Sequence, residues 1–68
     1  MPLNRQPNIP DQDVFYAELI DTLRDLSDER ADMLLSKLVL ILANHIGDRE
    51  VLSEAMALAR DNTLAQPA

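Results

Sequence analysis

The chain has a single histidine, His45, set in the run Asn44-His45-Ile46-Gly47-Asp48. An imidazole beside an amide and a carboxylate is a set of groups that can move a proton or hold a metal ion. Proton abstraction needs something to activate, however, and no Ser or Cys nucleophile has an evident place beside His45. The same five residues also read as a helix corner. Gly47 suits the left-handed position that closes a helix, Asp48 suits the cap that opens the next, and His45 suits a donor in a last helical turn. Asn44, His45 and Asp48 are the candidate functional corner, and a structural role is the expectation for His45 and Asp48.

A second constellation is acidic. Glu18, Asp21 and Asp25 recur at helical spacing, with Asp28 beyond them. Calcium loops alternate oxygen ligands around a Gly-containing turn, and di-iron bundles take Glu-x-x-His pairs from facing helices. Neither pattern occurs here, so these carboxylates read as a solvated or partner-facing surface. One glycine cannot form a phosphate-cradling loop. The sequence therefore supplies no catalytic residue, no metal set and no cofactor site.

The elements that carry these residues follow from periodicity and cap signals. Three of the four prolines lie in residues 1–10, which read as an extended arm whose Leu3 and Ile9 are its only anchors. A first helix is expected near 12–26, capped by Asp11 or Asp13, with Phe15, Tyr16, Leu19, Ile20, Leu23 and Leu26 on its apolar stripe. Ser27 caps a second helix near 28–46. Asp48 caps a third near 49–61, whose stripe holds Val51, Leu52, Ala55, Met56 and Ala59. The expectation is an all-α, small three-helix domain over 11–61, with a flexible tail at 62–68.

The second helix is apolar on more than one side. Leu34, Leu35, Leu38, Val39, Ile41, Leu42 and Ile46 cover nearly half of the cylinder, and Met33 and Leu40 lie outside that arc beside Lys37 and Asn44. Two short neighbours cannot cover all of it, so Met33, Lys37, Leu40 and Asn44 are expected to form an intermolecular seam.

Bulk composition narrows the partners. In 68 residues there are 12 acidic and 6 basic side chains, a net charge of −6, with one Phe, one Tyr and no Trp. Phosphate tracking requires the opposite sign, and stacking on bases requires aromatics, so nucleic acid is not an expected partner. Anionic membrane surfaces are disfavoured by the same charge. The longest apolar run, Leu38–Ala43, falls far short of the ~20 residues of a membrane span. The N-terminus lacks the apolar region of a signal peptide, so a cytoplasmic location is the default. A folded chain of this size buries roughly 60% of its unfolded surface, which leaves little stability to spare without cysteine or metal.

At "FYAELIDTLRDLSDE" and "LVLILANHIGDREVLSEAMALAR" the chain resembles a family of very short proteobacterial proteins of unknown function. Phe15 and Tyr16 match the pair that opens that family's first helix, and Asn44 to Asp48 match its corner. Thr22 and Leu23 stand where the family often has Ala-His, so a second histidine is missing. Members are often encoded beside flavin-dependent aromatic-ring hydroxylases, which implies an accessory subunit of such an enzyme.

Two functions follow as expectations. One is a non-catalytic interaction module that self-associates or docks on a larger enzyme. The other is a small ligand- or metal-binding regulator using His45, Asn44 and nearby carboxylates.

Overall fold

The computed structural model describes residues 2–67; the outermost residues of the expected arm and tail, Met1 and Ala68, lie outside them. Three helices follow in order: α1 (Gln12–Leu23), α2 (Asp28–Ile46) and α3 (Arg49–Ala65). The fold is all-α, and no described residue is in a strand.

The second and third helices start where the side chains can satisfy free backbone donors. Ser27 is extended, and its hydroxyl accepts from the Arg30 N–H at 3.3 Å. Asp28 and Glu29 then lie in the first turn of α2, where the helix end is positive. At the far end Gly47 adopts φ 68°, and its N–H donates to the Ala43 carbonyl at 2.9 Å. A Cβ at Gly47 would meet only the Asn44 carbonyl oxygen at 3.8 Å. Space is therefore not what asks for glycine there; the left-handed backbone is.

The other ends differ from the expectation. Asp11 precedes α1 in a left-handed conformation, and its side chain makes no cap bond. Its carbonyl still accepts from the Phe15 N–H at 3.1 Å, so the helix opens on a backbone group alone. Asp13 falls inside the first turn. α1 stops at Leu23, three residues short of Leu26, because Arg24 turns extended and Asp25 takes φ 64°. That turn allows Leu26 to fold back half-buried. α3 runs past the expected end at Asp61 through Ala65, so most of the expected tail is helical. Thr63 assists by returning its hydroxyl to the Ala59 carbonyl at 2.8 Å.

The arm lies against α3. The Leu3 N–H donates to a Glu54 carboxylate oxygen at 3.2 Å, and Leu3 is half-buried at a groove lined by Ala55, Leu58 and Ala59. Ile9, the other expected anchor, is exposed.

No pair of helices packs closely along its length. Among the described residues none is fully buried; Leu19, Leu23, Leu26, Ala31, Leu34 and Leu38 reach half-burial on α1, α2 and the turn joining them, and Val51, Leu52 and Ala55 do so on α3. The radius of gyration is 13.7 Å, against about 11 Å for a packed chain of this length. The accessible surface is 6437 Å², where a folded monomer of this mass exposes about 4,300 Å². Roughly 40% of the unfolded surface is removed from water rather than the expected 60%. No described helix is long and apolar enough to cross a membrane.

Candidate functional site

The Asn44–Asp48 corner sits between α2 and α3, and its members do not converge. Asp48 turns to the start of α3, where one carboxylate oxygen accepts from the Glu50 N–H at 3.0 Å and the Val51 N–H at 3.3 Å. His45 is exposed in the last turn of α2 and makes no hydrogen bond within the described residues, so it is not the terminal donor that the sequence suggested. Asn44 is exposed as well.

The cap supplies the largest single influence on the ionisation of Asp48. Chiefly the Val51 N–H, with the Glu50 N–H adding to it, favours the charged form and lowers the carboxyl from its ordinary value. A depressed folded pKa stabilises the fold fully above the ordinary carboxylate value. That contribution disappears as the pH falls through the depressed one. Asp48→Ala should therefore lower the urea midpoint at neutral pH, measured at one fixed chain concentration. The gap from the parent should close in acid. An unchanged midpoint at neutral pH would show that the cap contributes nothing.

The acidic residues also separate. Asp21 accepts from the Arg24 guanidinium at 2.7 Å, an exposed i,i+3 pair of the kind that contributes little to stability. Asp25 leaves the face of Glu18 and Asp21 because the helix has already ended. Among the described residues no three His, Asp or Glu side chains gather to hold a metal ion.

What the fold does present is apolar surface on α2. Leu40 is 70% and Met33 54% exposed, and Lys37 and Asn44 complete that seam in the open. Met33 and Lys37 also border a groove with Leu26, Leu34, Leu38 and Ile41. On the other flank Leu35, Val39, Leu42 and Ile46 follow at spacings of four, three and four, and Val39 is 63% exposed. Sequence reasoning placed these four within the arc covered by α1 and α3. The signal that could have separated them is the spacing itself, because Ala31, Leu34 and Leu38 make a different, half-buried row; on the other side of the four only Ala43 of α2 is half-buried. At the opening of α1 the Phe15 and Tyr16 rings stand 5.7 Å apart and tilted, and both are partly exposed.

The family model described as Protein of unknown function (DUF2783) matches residues 3–61, most of the chain. The chain belongs to that family. The matched span runs from the arm residue Leu3 through all of α1 and α2 and most of α3. No curated protein and no solved structure matches the chain.

Proposed function

We propose that this protein is a non-catalytic interaction module that assembles with itself or serves as a small accessory subunit of a larger enzyme. The observation that carries this reading is the accessible surface, about 2,100 Å² above that of a packed monomer of the same mass. A stable interface takes about 800 Å² from each partner. The excess is enough for more than one such contact.

The two flanks of α2 differ in a way that suits two kinds of contact. Leu35, Val39, Leu42 and Ile46 form a row with no polar member, like the interior of an obligate homo-oligomer. Met33, Lys37, Leu40 and Asn44 mix apolar and polar groups, like a surface that is also stable in water. The second flank is the one assigned to the larger partner. A flavin-dependent aromatic-ring hydroxylase in a proteobacterial cytoplasm is the partner class supported by the resemblance.

Sedimentation equilibrium of the purified chain, alone and with such a hydroxylase, tests the proposal. The expected result is a mass of two or more copies, or a stable mixed complex. A fully helical monomer that binds neither itself nor the enzyme would overturn it.

A further inference from the structure

Resting on the reading of self-assembly, the geometry points to one occupant for the wholly apolar flank of α2: the same flank of a second copy, antiparallel, about a two-fold axis between Val39 and Leu42. Leu35, Val39, Leu42 and Ile46 repeat with the alternating four–three spacing that packs knobs into holes between paired helices. All four are exposed, from 38% at Leu35 to 63% at Val39.

Closure favours a second copy paired row to row. Docking this row into the groove beside Leu26 and Met33 of another copy is a head-to-tail contact, which leaves a row free at each step until a ring closes. Row against row closes at two.

Charge fixes the direction. Continuing the row towards the start of α2 reaches Asp32 and then Asp28. A parallel pair would set these carboxylates against their own copies, in a chain already at −6. In the antiparallel pair Leu35 faces Ile46, Val39 faces Leu42, and Asp32 comes level with Arg49 at the start of the partner's α3. Neither Asp32 nor Arg49 has an ion-pair partner within the described residues of its own chain. Antiparallel helices also set opposite dipole ends side by side.

The absence of native cysteine makes the register directly readable. In an antiparallel pair the two Leu35 positions lie about 16 Å apart along the axis, beyond the ~7 Å that a disulfide spans between Cα atoms. Leu35 and the partner's Ile46 lie side by side. Leu35→Cys and Ile46→Cys proteins are made separately, and each is oxidised alone and after mixing, with helicity followed by circular dichroism. The expected result is at least tenfold more disulfide-linked dimer from the mixture than from either protein alone, with Val39→Glu abolishing the dimer mass of the parent.

Equal linking by Leu35→Cys alone would overturn the antiparallel register. A dimer that neither links on mixing nor responds to Val39→Glu would place the interface elsewhere, overturning this inference while leaving self-assembly intact. A fully helical monomer would overturn both. A chain that is monomeric and unfolded alone, but helical on a partner enzyme, would overturn the inference and keep the accessory role.

Discussion

Diluting the purified chain tenfold should lower its thermal midpoint by about 5 °C, and helix and dimer should be lost together. The expectation rests on the absence of any buried side chain among the described residues. If about half of the excess surface is apolar, roughly 1,000 Å² of it stays in water in the lone chain. At about 25 cal/mol per Å² that withholds on the order of 25 kcal/mol, an upper figure because unfolded chains are themselves partly collapsed. The net stability of a small domain is only about 5–15 kcal/mol. A lone chain is thus short by more than its whole margin, and folding becomes inseparable from association.

For such a dimer each tenfold change in concentration shifts the balance by about 1.4 kcal/mol. A domain pair of this size loses a few degrees for each kcal/mol. Melting followed by circular dichroism over three decades of concentration reads the effect directly. A midpoint independent of concentration, with cooperative melting, would mean that the lone chain covers its own apolar surface.

The contrast between the helix ends and the helix faces says what the sequence can convey. Ser27, Gly47 and Asp48 were legible because a cap is a local bargain: one side chain or one left-handed residue satisfies groups within three positions. The end of α1 was not legible, since the apolar rhythm continues to Leu26 while the backbone breaks at Arg24 and Asp25. There the left-handed Asp25 ends the helix although the apolar rhythm does not. α3 outran its expected end because nothing before Pro67 forces it to stop. The candidate corner was legible as a corner, yet among the described residues His45 finds no carbonyl to bond. Which rows of α2 would be covered depends on how α1 and α3 lean, and periodicity alone does not encode that angle.

The two flanks of α2 can be separated by neighbouring substitutions. Val39 and Leu40 are adjacent in sequence but point about 100° apart on the helix. Leu40 stands about 130° from the middle of the row that holds Val39. Leu40→Glu should therefore leave the mass and helicity of the pure chain unchanged, where Val39→Glu destroys both. On the partner's side the effect should be large. Returning one Leu-sized group to water forgoes about 1.5–3 kcal/mol, which is about a 10–150-fold loss of affinity. Burying an unpaired carboxylate would add to it. Lys37 and Asn44 flank Leu40 on the same seam and should govern orientation more than strength, so Lys37→Ala should change the salt dependence of binding more than its affinity. Sedimentation of both glutamate variants, followed by titration of Leu40→Glu against the hydroxylase, reads the two flanks independently. If Leu40→Glu dissociates the pure chain as Val39→Glu does, the seams are one surface serving self-association. If it leaves both the mass and the affinity for the proposed hydroxylase partner untouched, the seam of Met33, Lys37, Leu40 and Asn44 is not a docking surface for it.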